Sequence, residues 1–237
     1  MRVRIVGPGR AGGSLAQALA EVDGWEVAGV VRRGDGLAGA AAGVDLLVIA
    51  TPDSSIADVA AAVTPEPETV LMHLAGSLGL EVLAPHHRRA ALHPLVALPA
   101  PDVGGRRLLA GATFAVAGDH VAEELAQALG GTTVAVADDD RAAYHAAACI
   151  ASNHLVALLG QAERVGSAAG VPLHAYLELA RATLENVAEL GPAAAVTGPA
   201  ARGDEETLAR HRAALDPRER PAYDAMVDQI RRLVDED

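Results

Sequence analysis

The stretch Gly7-Pro8-Gly9-Arg10-Ala11-Gly12-Gly13 constrains this 237-residue chain more than any other. A mostly apolar stretch at residues 3–6 precedes it, and an apolar helical pattern of Leu15, Ala18, Leu19 and Val22 follows. A G-x-G-x-x-G motif carries weight only in such a strand, loop and helix setting. Gly7 then permits the tight turn, Gly9 lets the backbone approach a diphosphate, and Gly12 lets the helix pack close to the strand. Unpaired N–H groups at the helix start and the positive end of its dipole face the same anion. Gly7, Pro8, Gly9, Arg10, Ala11 and Gly12 are therefore the candidate cofactor loop.

The residues downstream keep alternating between strand and helix. Trp25-Glu26-Val27-Ala28-Gly29-Val30-Val31 reads as a second strand ending at Arg32-Arg33. An acid near that place bonds the ribose 2′-hydroxyl in NAD sites, whereas an arginine accommodates a 2′-phosphate. No acid stands at the strand end, so Arg32 and Arg33 favour NADP(H); the alternative is a solvated arginine pair. Residues 45–50 read as a buried parallel strand, by the continuous apolar run that follows Asp45. Ligands of open α/β sheets sit outside the carboxyl ends of strands, so Thr51, Pro52 and Asp53 border the nicotinamide ribose. Asp53, Ser54 and Ser55 equally suit a cap for the helix at residues 56–63.

Further strands are expected at residues 69–73 and 90–95, which places His73 and His93 at carboxyl ends. His86 and His87, beside arginines, read as surface residues. A strand at 113–117, a helix at 120–129 and a strand at 132–136 complete the pattern, and such alternation predicts a doubly wound parallel sheet. Asp138-Asp139-Asp140 suits the start of a long helix over 141–169. Helices at 173–190, 205–215 and 218–234, with a short piece at 193–196, follow it. The expected organisation is a dinucleotide-binding domain at 1–137 and an all-helical domain at 138–237.

Composition narrows the function. The net charge of −12 argues against a nucleic-acid partner, because such partners need basic patches. All 19 basic residues are arginine, which excludes any mechanism that needs a lysine. The single cysteine, Cys149, rules out an intrachain disulfide and a cysteine metal cluster. No histidine shows H-x-x-x-H or H-E-x-x-H spacing with an acidic third ligand, so no metal site is expected. No apolar run reaches the ~18 residues of a membrane span, and the chain begins directly in a strand without a signal-peptide pattern. The expected setting is cytoplasmic, with no membrane partner.

The chemistry concentrates later. His145, Cys149, Ser152 and Asn153 stand at i, i+4, i+7 and i+8, one face of a helix rich in alanine. Buried polar groups need partners, so this stripe either faces a ligand cleft or is solvated. Arg202, in the turn-rich stretch 191–204, suits either a bidentate substrate carboxylate or a structural acid. Asp204 suits the cap of the helix beginning at Glu205.

Several stretches together resemble a known family. They are Gly7 to Gly13, Leu92-His93-Pro94-Leu95, Tyr144-His145-Ala146-Ala147-Ala148 with Ala151-Ser152-Asn153, and Thr197-Gly198-Pro199 with Arg202-Gly203-Asp204. The family comprises predicted NADP-dependent oxidoreductases with a Rossmann-like domain followed by a helical domain of unknown function. It belongs to the broad 6-phosphogluconate dehydrogenase-like group, alongside β-hydroxyacid dehydrogenases, ketopantoate reductases and pyrroline-5-carboxylate reductases. The resemblance implies a homodimer built through the helical domains and an active site in the interdomain cleft. Some members resemble an alternative ketopantoate reductase of pantothenate biosynthesis. One departure stands out. The β-hydroxyacid dehydrogenases place a lysine four residues before an asparagine, and here Cys149 and Asn153 hold those places.

The expectation is thus an NADPH-dependent reductase of a small oxo acid, ketopantoate-like. Ser152 and Asn153 would bond the carbonyl oxygen, His145 (with His93 second) would donate the proton, and Arg202 would bind the carboxylate. Two alternatives stand beside it: a non-catalytic NADPH sensor, and an imine reductase of the pyrroline-carboxylate type, whose iminium substrate already carries its proton. The residues do not separate NADP from a deazaflavin, although a deazaflavin has no use for the arginine pair.

Overall fold

The computed structural model describes residues 1–235, and the chain forms two compact units, Met1–Ser152 and a second from Asn153 onward. In the first unit seven strands are ordered β2-β1-β3-β4-β5-β6-β7. They are β1 (Arg2–Val6), β2 (Glu26–Val31), β3 (Leu46–Ile49), β4 (Val70–His73), β5 (Arg89–Pro94), β6 (Thr113–Gly118) and β7 (Thr132–Ala135). Strands β1 to β5 run parallel, as expected, but β6 joins β5 antiparallel, so the sheet is mostly rather than wholly parallel. The Leu95 N–H donates to the Thr113 carbonyl at 2.8 Å. The chain therefore re-enters the sheet beside the end of β5, without the traverse a parallel crossover needs.

Period-two alternation divides the strand residues between two faces. Val3, Ile5, Leu46, Val48, Met72, Leu92 and Phe114 pack on one face beneath α1 (Arg10–Leu19), α3 (Pro101–Leu108) and α4 (Val121–Ala128). Leu47, Ile49 and Leu71 pack on the other, against Ile56 and Ala60 of α2 (Ile56–Ala62) and against Leu83. The single phenylalanine of the chain, Phe114, is fully buried there.

The helix α3 escapes a sequence reading because Gly104-Gly105 looks like a turn. Those glycines serve packing instead. A Cβ on Gly104 would overlap the Ser14 hydroxyl of α1, and one on Gly105 would lie 3.1 Å from the Gln17 Cβ. His86 corrects a second expectation. It is buried rather than at the surface, with its Nε2 2.9 Å from the Ala60 carbonyl oxygen.

The helical region opens with α5 (Arg141–Cys149) and continues as α6 (Leu155–Ser167), α7 (Leu173–Leu190), α8 (Pro192–Ala195), α9 (Glu205–Ala214) and α10 (Arg220–Asp235). The long helix expected over 141–169 is interrupted by a π-helical segment, Ile150–His154. Such segments are rare and widen the helix by one residue per turn, so the phase before and after them differs. The acids at Asp138–Asp140 do not cap α5 through their side chains. Asp138 accepts instead from the Leu80 N–H at 2.9 Å and lies 3.4 Å from Arg141. Asp204 does cap α9, accepting from the Thr207 N–H at 3.0 Å.

The second unit has a small core of Ala200, Leu208 and Val227, lined by Tyr223 and Ile230. Arg164 and Gln161 of α6 both reach Glu219, the first through its carboxylate at 2.6 Å and the second through its carbonyl at 2.8 Å. The helical stretch Asp138–Ser167 is long and apolar enough to cross a membrane by length and composition, and its most apolar 18-residue window is not buried within the chain.

Candidate functional site

The glycine loop links β1 to α1. Gly7 adopts φ +100°, a conformation L side chains rarely take, and a Cβ there would lie 2.8 Å from the Ala50 carbonyl oxygen. Gly12 is buried, and a Cβ on it would overlap the Gly7 carbonyl oxygen and press on Ala50 and Ile5. Among the described residues, nothing beyond its chain neighbours lies within 4 Å of a Cβ built on Gly9, which stands at the N-cap of α1. The two outer glycines are thus required by packing, while the middle one faces open space over the helix N-terminus. That division fits a diphosphate approaching the backbone at Gly9.

At the carboxyl end of β3, the Thr51 hydroxyl is buried with no hydrogen-bond partner among the described residues. Buried hydroxyls are ordinarily paired, so an orphan beside a glycine loop marks a place for a ligand group. Asp53 does not cap α2, and neither do Ser54 and Ser55: no side-chain bond caps that helix. Asp53 instead accepts from the Ser77 hydroxyl at 3.0 Å, tying the ends of β3 and β4 together. Arg32 and Arg33 are exposed beyond β2, and neither guanidinium makes an ion pair among the described residues.

A second cluster collects at the carboxyl ends of β4 and β5. His73, the last residue of β4, is fully buried. Its Nδ1 accepts from the Ala75 N–H at 3.2 Å and its Nε2 lies 3.3 Å from the Gly79 carbonyl, which fixes a neutral tautomer. His93 of β5 places its Nδ1 2.7 Å from the Tyr144 hydroxyl of α5. The His145 ring stands edge-on to His93 with centroids 5.7 Å apart. Both imidazoles lean on Gly76. A Cβ there would lie 2.6 Å from the His145 Cδ2 and 3.0 Å from the His93 Nε2, so only glycine admits the pair.

Arg141 sits one helical turn before Tyr144. It is fully buried, and none of its guanidinium nitrogens has a hydrogen-bond partner among the described residues; the Asp138 carboxylate, at 3.4 Å, is close but poorly aligned. Burial and this nearby cation push His73 down to about 4. Burial first, then the neighbouring His145 and Arg141, push His93 to about 4 as well. Both histidines are neutral at physiological pH.

The structure therefore brings His93 and His145 together and adds Tyr144, His73, Gly76 and Arg141, to which the sequence reading gave no role in the chemistry. The i, i+3, i+4 spacing of Arg141, Tyr144 and His145 was the available signal. Ser152 and Asn153 lie in the exposed π segment, so they do not continue the face of His145 and Cys149 with α-helical phase. The His145 Nε2 lies 3.9 Å from the Cys149 sulfur. Arg202 is exposed in the second unit, in the turn before α9. No group of His, Cys, Asp and Glu among the described residues could hold a metal ion.

A mostly parallel sheet entered through such a glycine loop, with a helical region after it, defines a Rossmann-like protein with a helical carboxyl-terminal region. The chain belongs to the family described as domain of unknown function DUF2520, which matches residues 112–230. No curated protein matches it. Among solved structures it is similar to a Bacteroides fragilis protein assigned as an NADP oxidoreductase (20% identity, 98% of each chain, TM-score 0.81). It is also similar to an Aspergillus terreus reductive aminase in complex with NADPH and ethyl levulinate (17% identity, 99% of this chain and 98% of that one, TM-score 0.70). A third is a Plasmodium falciparum pyrroline carboxylate reductase with NADP bound (11% identity, 99% and 98%, TM-score 0.64).

Proposed function

We propose that the protein is an NADPH-dependent reductase of a small oxo acid, with ketopantoate as the leading substrate and pantothenate synthesis as its setting. The observation that carries this reading is the glycine loop, closed by packing at Gly7 and Gly12 and open at Gly9. The orphan Thr51 hydroxyl at the neighbouring strand end supports it, as do NADPH and NADP in similar folds. Gly7 to Gly12 hold the diphosphate, Thr51, Pro52 and Asp53 border the nicotinamide ribose, and Arg32 with Arg33 hold the 2′-phosphate. When bound, the cofactor supplies hydride.

In this reading Asn153 and Ser152 bond the carbonyl oxygen and stabilise its developing charge. Arg202 takes the substrate carboxylate. The sequence points to His145, with His93 second, in place of the missing lysine, and the cluster these two form with Tyr144 is the candidate proton source. Removing one donor to a developing oxyanion typically costs 10²–10³ in turnover. Asn153→Ala should therefore lower kcat by about 10²-fold, while NADPH affinity, read by fluorescence titration, stays unchanged. Unchanged turnover would remove Asn153 from the mechanism.

Imine reduction is the second reading. The absence of lysine favours it, because an iminium carries its own proton and needs no strong acid. A non-catalytic sensor would bind NADPH and oxidise none.

The proposed assembly is a cytoplasmic homodimer formed through the helical region. Ile150, Val156, Leu179, Leu184 and Leu190 are each more than half exposed in the isolated chain. Exposure of several large apolar side chains supports an interaction surface on these helices. Leu179→Glu combined with Leu184→Glu should convert the dimer to a monomer in sedimentation. A wild-type protein that sediments as a monomer and floats with lipid vesicles would instead give Asp138–Ser167 a membrane role.

A further inference from the structure

We infer that the Tyr144 hydroxyl, supported by His93, delivers the proton to the substrate oxygen. The inference rests on the reductase reading above. Reduction of a carbonyl needs a proton at oxygen as well as hydride at carbon, and this chain has no lysine to give it. Beside the fully buried His73, three more protonatable side chains meet at the end of β5: His93, His145 and Tyr144.

The two imidazoles are poorly placed to donate. His93 is neutral, its Nδ1 is engaged by Tyr144, and its Nε2 edge lies against Gly76. His145 turns its Cδ2 edge to Gly76 and its Nε2 toward Cys149. Tyr144 is half-buried, and burial pushes its phenol above the ordinary value, so it carries its proton throughout the physiological range. A phenol alone is a weak acid, and two neighbours favour the phenolate. The buried Arg141 guanidinium, three residues earlier on α5, pulls in the opposite direction from burial. The His93 Nδ1, at 2.7 Å, becomes a donor to the phenol oxygen in the tautomer that carries its proton there.

Hydride reaches the carbonyl carbon and forms the new C–H bond, and the C=O π pair moves to oxygen. The Tyr144 O–H bond breaks and its proton joins that oxygen. The phenolate keeps the electron pair of the broken bond, accepts from the His93 Nδ1–H, and regains a proton from solvent after the alcohol leaves. NADPH supplies both electrons. Asp53 and His73 also act on His93, the acid favouring and the second imidazole opposing its protonation, while Arg141 and His145 keep it neutral.

Tyr144→Phe keeps the ring beside His93 and deletes only the hydroxyl. General acid catalysis is typically worth 10²–10⁴, so kcat should fall by at least about 10²-fold, with KM and NADPH affinity within about twofold. A second readout does not depend on turnover. The tyrosinate absorbance titration of the NADPH-loaded protein, taken as wild type minus Tyr144→Phe, isolates the Tyr144 ionisation. It should lie above the ordinary tyrosine value, move higher in His93→Leu, and return toward wild type in His93→Asn, whose amide N–H restores a donor. Full turnover in Tyr144→Phe beside an active wild type would overturn the donor assignment alone, as would a Tyr144 titration unmoved by both His93 variants. A wild type that oxidises NADPH with no oxo acid or imine would overturn the reductase reading and the donor with it.

Discussion

Gly12→Ala should destabilise the folded protein by several kcal/mol, whereas Gly9→Ala should leave its stability within about 0.5 kcal/mol and instead weaken NADPH binding by at least about tenfold. The contrast follows from what each methyl group would meet. At Gly12 it overlaps the Gly7 carbonyl oxygen, part of a backbone held at φ +100° against Ala50, so β1 and α1 must move apart. Overpacking of a rigid site typically costs 1–3 kcal/mol, and more where backbone is displaced. At Gly9 the methyl meets nothing within 4 Å, and the residue has φ −70°, which alanine adopts freely. The space it fills is the space the account gives to the diphosphate. Urea unfolding and NADPH titration of the two variants separate these effects. Equal stability loss in both, or unaltered NADPH affinity in Gly9→Ala, would remove the loop from cofactor binding.

Stability should fall steeply between about pH 6.5 and pH 4 because of His73 and His93. In the unfolded chain each imidazole takes up a proton near 6.5, whereas in the folded protein it does so only near 4. Below 6.5 the unfolded state therefore binds more protons, and each step down in pH favours unfolding until the folded protein titrates too. The contribution is about 3 kcal/mol for the fully buried His73 and less for the half-buried His93. His73→Asn keeps an acceptor for the Ala75 N–H and removes the titration. Its unfolding midpoint in urea should vary less with pH over this window than that of wild type. Identical pH slopes in the two proteins would show that His73 is not held neutral by the fold.

The sheet and the glycine loop between β1 and α1 were legible in the sequence because backbone constraints write them there. A turn that needs φ +100° demands Gly7, and period-two burial on both faces demands the apolar runs at Leu46–Ile49 and Val70–His73. The antiparallel β6 was not legible, since strand direction depends on where the connection returns, and an 18-residue connection between Pro94 and Thr113 permits either sense. Gly104-Gly105 concealed α3 because close helix packing and a turn call for the same residue. His86 looked exposed beside charged neighbours, yet it hydrogen-bonds a carbonyl in the core.

The helix stripe was legible only as far as its geometry stays α-helical. Tyr144 and His145 meet His93 through α5, but the π segment at Ile150–His154 changes the phase before Ser152 and Asn153. No local signal in an alanine-rich stretch announces a π turn. The burial of Arg141 was equally hidden: an arginine after three aspartates reads as a solvated charge, and only tertiary packing takes it out of water.

The most direct test of the account is NADPH oxidation by the purified protein with ketopantoate, run beside NADH, a panel of 2-oxo acids and a panel of cyclic imines, with product quantified. The account predicts saturable oxidation of NADPH, weaker use of NADH, and one reduced product per NADPH consumed with an oxo acid. Tight NADPH binding with no turnover on any substrate would contradict it.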